Sequence, residues 1–270
     1  MTKHLPLAAL LLLASPLAFA QVKLTTDTLQ CHIIHFSAGA LAPGFGSNSG
    51  HSPLRNMRDL YSAPWLDFAI GCDYKYRSGW TVTLDADLAI GNDNLQQRQA
   101  RLGNIYGPLG YPLASDGSIA GIEAYNRNLS LRIGIARLLP LLPRNPNSGL
   151  LLKASAGWIM QKTAFNQNYT ENPVPLLADP YSQLYDNLRN GIILSQSIAF
   201  QYMSNYLTYV NLRLSLEISQ CLTWSSRPYL IDNLTHLNGK DHNRYFDLLY
   251  GLKLTWMFPL TGKTTYDYYY

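Results

Sequence analysis

Apolar and polar side chains alternate along most of the chain after residue 30, with a period of two residues. The clearest run is Val210 to Ile218, in which every even position is aliphatic and the odd positions are Asn, Arg, Ser and Glu. A β-strand with this pattern has one apolar and one polar face, whereas a helix would mix the two all round. The pattern therefore predicts an all-β chain. It indicates eight strands, at residues 31–41, 64–76, 80–91, 124–138, 149–164, 189–203, 206–220 and 243–258.

The connections between these segments alternate strictly between long and short. The short ones are 77–79, 140–148 and Ser204–Asn205, and the long ones are 42–63, 92–123, 165–188 and 221–242. Four structureless loops of this length would be unusual in a soluble domain. Outer-membrane barrels, in contrast, have short periplasmic turns and long extracellular loops. The sequence thus predicts an eight-stranded antiparallel up-and-down transmembrane β-barrel.

Composition favours apolar strand faces that point towards lipid. Charged residues make up only 14% of the chain while hydrophobic residues make up 47%, whereas a soluble domain carries about 25% charged residues. A soluble barrel with its apolar faces inward is the alternative, but it would carry more charge outside. In hydrocarbon every backbone group must be paired, so only helices and closed barrels cross a membrane. Aromatic residues near the segment ends suit the two interfacial girdles.

The N-terminus has the features of a secretory signal peptide. Lys3 and His4 form a short basic region, an apolar stretch follows, and Ala18-Phe19-Ala20 is a small-x-small cleavage site. We therefore expect a signal peptide at 1–20, an outer-membrane barrel at 21–258 and a Tyr-rich periplasmic tail at 259–270. The expected location is the bacterial outer membrane.

If the aliphatic positions face lipid, an almost balanced set of acidic and basic side chains faces the lumen. An eight-stranded barrel is just wide enough to be filled by its own side chains, and buried charges must be paired. We expect an interlocked salt-bridge plug that closes the lumen, and the alternative is a narrow pore. The set is Asp67, Asp73, Lys75, Asp85, Asp87, Arg132, Lys153, Arg213, Glu217, Asp247 and Lys253.

Candidate catalytic residues are few. His35 and Ser37 have a His-x-Ser spacing that places both on one strand face, and His51, Ser52, His236 and His242 fall in predicted loops. A nucleophile also needs a base within reach and an orienting third group, and the sequence shows no such trio. We therefore assign no catalytic residue, no cofactor and no metal. A lipid-modifying enzyme of the lipid A deacylase or acyltransferase type is the alternative function.

Cysteine and charge patterns exclude further classes of site. The chain has three cysteines, Cys31, Cys72 and Cys221. An odd number cannot form a closed set of disulfides, and the three lie too far apart in the sequence for a metal ligand set. The net charge of +4 comes from scattered residues without a basic run, so no nucleic-acid partner is expected.

The C-terminal third carries a family resemblance. The segments that carry it are 185–191, Leu194-Ser195-Gln196, Met203-Ser204-Asn205, 247–253, 256–260 and the tyrosine tail. They resemble small outer-membrane barrels of Bacteroidota, above all the barrel subunit of the β-barrel assembly machinery. The small barrel of the type IX secretion apparatus is a second candidate. The resemblance implies no functional residues.

These observations together predict a non-enzymatic structural subunit of an envelope complex, for outer-membrane protein assembly or export. The expected partners are outer-membrane lipid, lipopolysaccharide and other outer-membrane or periplasmic proteins.

Overall fold

Eight alternating segments form strands that pair in chain order and close into an antiparallel barrel, because β1 pairs with both β2 and β8. The computed structural model describes residues 30–43, 64–92, 102, 105, 110–142, 145–167, 174–203, 211–227 and 244–260. The predicted signal peptide and all but two residues of the predicted tail lie outside these ranges. The strands are β1 Cys31–Pro43, β2 Trp65–Lys75, β3 Trp80–Asn92, β4 Glu123–Leu142, β5 Asn145–Asn166, β6 Arg189–Tyr202, β7 Leu212–Ser225 and β8 Arg244–Leu260.

Strand pairing moves some of the predicted boundaries. β7 was predicted at 206–220 but runs from Leu212 to Ser225, because Tyr202 at the end of β6 pairs with Leu212. The predicted turn at Ser204–Asn205 lies outside the described residues. The predicted connection 140–148 is also wrong, since the β4–β5 pairing continues to Leu142 and Asn145. The alternation of apolar and polar residues is a local property of the sequence, whereas a strand ends where its pairing with the neighbouring strand ends. The sequence therefore predicts that a strand exists more accurately than it predicts the first and last residues of that strand.

The barrel has its apolar side chains outside and its polar side chains inside. On β7, Leu214 and Leu216 are exposed, whereas Arg213 and Ser215 between them are buried. All eight strands repeat this arrangement, which is the reverse of that in a water-soluble barrel. The fold is therefore an all-β, eight-stranded, up-and-down barrel with an apolar outer wall, as predicted.

The apolar wall has two defined edges. The outward row of β4 contains only Leu and Ile between Arg127 and Arg137, a stretch that rises about 25 Å along the axis of a tilted barrel. The guanidinium of Arg137 lies 4.9 Å from the ring centre of Trp80. Tyr74 and Tyr76 pack edge to face at 4.8 Å on the same side of the barrel. This aromatic edge lies at the end with the short connections, which we call the short-turn end; the opposite end is the long-loop end.

Helical structure is confined to two 3₁₀ turns, Pro175–Leu177 and Tyr181–Leu184, in the described part of the chain. No helix among these residues is long and apolar enough to cross a membrane.

Candidate functional site

The barrel interior holds a plug of charged side chains, and all eleven residues predicted to face the lumen lie in it. The least buried are Lys153 and Glu217, whose side chains are 13% and 11% exposed. The other nine are buried. The period of two was sufficient to predict this set, because it fixes the face on which each residue lies.

Arg132 on β4 organises the half of the plug nearer the long-loop end. It donates to both carboxylate oxygens of Asp87, from Nε at 3.0 Å and from Nη2 at 2.6 Å. Its Nη1 donates to Ser195 Oγ at 2.9 Å and also forms an ion pair with Glu217. A fork with several charged and polar acceptors is among the stronger arrangements available to a buried arginine.

Lys253 on β8 shares the same acids from the other side. Its Nζ lies 2.5 Å from Asp87, 2.7 Å from Asp67 and 3.7 Å from Glu217. Asp87 and Glu217 are therefore each shared by Arg132 and Lys253. The resulting network joins β2, β3, β4, β7 and β8 across the lumen.

A second network occupies the half nearer the short turns. His35 lies between two acids, with Nε2 3.2 Å from Asp85 and Nδ1 3.6 Å from Asp73. Lys153 contacts Asp85 at 2.6 Å, and Arg213 contacts Asp73 at 2.8 Å. Each of these acids therefore has a lysine or arginine partner besides the imidazole, which offsets the cost of its burial.

His35 and Ser37, the candidate catalytic pair, both face the lumen but have separate partners. Ser37 Oγ lies 2.8 Å from Thr255 Oγ1, and no hydrogen bond joins it to His35 among the described residues. His35 fits there because Gly71 has no side chain: a Cβ at Gly71 would lie 2.4 Å from His35 Nε2. The loop candidates His51, Ser52, His236 and His242 lie outside the described residues.

Apolar side chains lie beyond the plug on both sides. Towards the long loops, Trp65 packs against Gly91, where a Cβ would lie only 2.0 Å from the indole. This long-loop plate consists of Leu41, Trp65, Ala89, Ile159, Ile193, Cys221 and Leu249. The short-turn plate consists of Cys31, Ile33, Met203 and Met257. Two cavities beside the plug have volumes of about 20 and 30 Å³, so each has room for about one or two waters.

Three buried amides on the long-loop side of the plug lack hydrogen-bond partners within the described ranges. Asn126, Asn128 and Gln161 are 0%, 3% and 1% exposed, and neither side-chain polar atom of any of them is bonded there. Asn128 pairs with Gln161 in the β4–β5 register, so the two lie side by side. Buried amides need partners, so these are the lumen groups best placed to bind water or a small polar molecule. The sequence pattern did not distinguish them from other inward polar residues.

The described residues of two long loops form a small folded unit, which we call the loop cap (102, 105, 110–122 and 174–188). Its buried core contains Leu102, Ile105, Ala114, Ala120, Ile122, Val174, Leu177 and Tyr185. Burial raises the pKa of the Tyr185 phenol. Arg227, which follows β7, donates to Gln183 at 3.1 Å and forms an ion pair with Asp186 that raises the pKa of the guanidinium. The cap is therefore fastened to the end of β7.

The outer surface of the loop cap carries exposed apolar side chains. Ile119 is 64% exposed, Tyr181 56% and Leu176 45%. The turn before Ile119 is held by Ser118 Oγ, which donates to Asp116 at 2.6 Å, and by Gly117 at φ +83°. A fixed backbone with exposed apolar side chains suits a protein contact.

The three cysteines form no disulfide: Cys31 and Cys221 are buried in the two plates, and Cys72 is exposed on the outer wall. Across the residues that the structure describes, no group of three or more His, Cys, Asp or Glu side chains could hold a metal ion.

The strand pairing and the packing of the interior together define a small eight-stranded barrel with an apolar outer surface and a filled lumen. No protein-family model and no curated protein matches the chain. Similar solved structures include Ail, the attachment invasion locus protein of Yersinia pestis, in complex with the heparin analogue sucrose octasulfate. It is 9% identical with a TM-score of 0.38, over 85% of this chain and 97% of Ail.

Two further solved structures are also similar to this chain. A major outer membrane protein from Thermus thermophilus is 9% identical with a TM-score of 0.39, over 84% of this chain and 99% of its own. OprG from Pseudomonas aeruginosa is 12% identical with a TM-score of 0.32, over 86% and 98%. We assign the fold from the strand pairing of the chain itself.

Proposed function

We propose that this protein is an integral outer-membrane barrel that works as a non-conducting, non-enzymatic structural subunit of an envelope complex. The observation that carries the proposal is the combination of an apolar wall on all eight strands with a lumen filled by paired charges. An apolar wall stabilises the protein in the hydrocarbon of a membrane. Because the lumen is filled, the outer surface is the part of the protein that remains available to bind partners.

The wall supports a membrane location. Exposed Leu, Ile and Phe side chains cover the barrel between its edges, whereas soluble monomers rarely expose apolar patches larger than a few hundred Å². A closed barrel also leaves no unpaired strand edge in lipid. Together with the predicted signal peptide, these features favour an orientation with the long-loop end outside the cell and both mature termini in the periplasm.

The plug and plates support a closed lumen. The test is to refold the protein into liposomes, confirm by flotation that it is inserted, and record conductance in planar bilayers made from the same vesicles. We expect insertion without steady conductance. An inserted protein with a stable open conductance would refute the non-conducting role and favour the narrow pore.

The surroundings of His35 support a non-enzymatic role. A base for lipid chemistry must reach the membrane surface, but His35 is buried in the lumen between Asp73 and Asp85. We expect that incubation of the inserted protein with lipid A leaves its acyl-chain pattern unchanged by mass spectrometry. Acyl loss or gain would instead support the lipid-modifying alternative.

The loop cap and the tail are the parts available to protein partners, and assembly or export of outer-membrane proteins is the finer part of the proposal. Purification of the tagged protein in mild detergent should recover other outer-membrane or periplasmic proteins. The Ile119→Ser and Tyr181→Ser double variant should lose partners that bind the cap. Leu141→Ser is a matched control, because Leu141 is equally exposed but lies at the short-turn end. Recovery of a lone monomer would refute the role in a complex.

A further inference from the structure

Two basic side chains lie directly opposite each other on the outer wall. Arg127 on β4 pairs with Lys162 on β5 in the barrel register, and both point away from the lumen because their neighbours Asn126, Asn128 and Gln161 point into it. Side chains in such cross-strand positions have Cβ atoms about 5 Å apart, and like charges there are destabilising. An anion bound between the two side chains would relieve this repulsion.

The protein does not supply that anion in its described part. Neither Arg127 nor Lys162 has an ion pair with an acidic residue there. The carboxylate on the same outward row of β4 is Glu123, and it already accepts a hydrogen bond from the Tyr125 hydroxyl. The outward neighbours of the pair, which are Tyr125 and Leu129 on β4 and Met160 and Ala164 on β5, carry no acidic group.

The depth of the pair indicates where the anion comes from. Arg127 marks the long-loop edge of the apolar wall, while Arg137 stacks on Trp80 at the opposite edge. Trp158, on the outward row of β5, is exposed four residues further into the apolar wall, opposite Leu131. In the proposed membrane, the headgroup phosphates of the leaflet at the long-loop end would lie at this edge of the apolar wall.

We propose that Arg127 and Lys162 form a clamp for the phosphate group of a membrane lipid in the leaflet at the long-loop end. An arginine fork can bind two phosphate oxygens while a lysine ammonium contacts a third, and a bound phosphate would cancel the repulsion between the two cations. The clamp rests on the proposed membrane location and adds a defined lipid-binding site to it.

The test measures lipid binding to the inserted protein in nanodiscs. The probes are lipid A carrying its phosphates and the same lipid after enzymatic removal of the phosphates, with inorganic phosphate as a competitor. The variants are Arg127→Gln, Lys162→Gln and the double variant. Arg137→Gln is the matched control, since it is also an outward arginine but lies at the other edge. Removing a repelling cation from the surface leaves the barrel able to fold, which heat-modifiable mobility in gels verifies.

We expect preferential binding of phosphorylated lipid A and a dissociation constant raised about tenfold or more in the double variant, with Arg137→Gln unchanged. Equal binding of both lipids, or a double variant equal to wild type, would overturn the clamp. Complete competition by inorganic phosphate at equal concentration would mean a soluble anion site and would also overturn it. Protein that fails to float with vesicles would instead refute the membrane location itself.

Discussion

Replacement of Arg132 by methionine should destabilise the barrel more than any surface substitution. Methionine keeps an unbranched apolar chain but removes two hydrogen bonds to Asp87, one to Ser195 and the ion pair with Glu217. Among the described residues, Lys253 would then be the one cation shared by Asp87 and Glu217. Removing one partner of a buried ion pair costs about 3–5 kcal/mol, because the other charge stays buried without compensation.

The assay is equilibrium urea unfolding of the inserted protein, followed by the fluorescence of its five tryptophans. We expect the free energy of unfolding to fall by about 3–5 kcal/mol. Arg227→Gln is the control, because its pair with Asp186 is more exposed, at 22% and 14%, and lies in the loop cap outside the lumen; we expect a smaller loss, since ion pairs contribute less as their exposure rises.

A second substitution distinguishes lost charge pairing from lost packing. Adding Glu217→Gln to Arg132→Met removes an uncompensated acid and should restore part of the lost free energy. If packing dominated, Glu217→Gln would restore nothing. A loss below about 1 kcal/mol for Arg132→Met would refute the view that this network holds the lumen together.

Three further substitutions test other parts of the structure. Gly71→Ala places a Cβ 2.4 Å from His35 Nε2 and 2.6 Å from the Leu84 carbonyl, so we expect a loss of about 1–3 kcal/mol in urea unfolding; wild-type stability would contradict the close approach. Gln196→Leu replaces an exposed amide in the apolar wall of β6 and should gain about 1–3 kcal/mol in lipid; a loss would argue against lipid contact. Leu177→Ala opens the loop-cap core and should speed amide hydrogen exchange in the cap while barrel exchange stays slow; faster exchange in the barrel would show that the two unfold together.

The lumen charges were predictable from sequence, whereas their partners were not. Lys253 and Asp87 are separated by 166 positions, and only ring closure brings β8 and β3 to opposite sides of one narrow lumen. Asn126 and Asn128 lack hydrogen-bond partners among the described residues. The sequence did not predict this, because it does not show which side chains meet across the lumen. The two-residue alternation in the sequence shows that an amide points into the lumen, but it does not show whether that amide has a hydrogen-bond partner there.

The outward pair Arg127 and Lys162 shows a second limit of the sequence. In the sequence, each of the two is a basic residue near a strand end with nothing to set it apart. They lie opposite each other only because of the β4–β5 register. The loop cap is similar, because its core combines Leu102 with Leu177 from different loops. Neither loop has enough periodicity to predict that contact.

The sequence by itself determined which side of the barrel wall each strand residue occupies, since successive side chains on any extended strand point to opposite faces. That local rule was enough to predict eight strands, an apolar outer surface and a charged interior. The tertiary structure decided which charges neutralise one another, which amides face the lumen without a described partner and which two cations meet on the wall. Those outcomes depend on register and closure, which bring together side chains that the sequence keeps far apart.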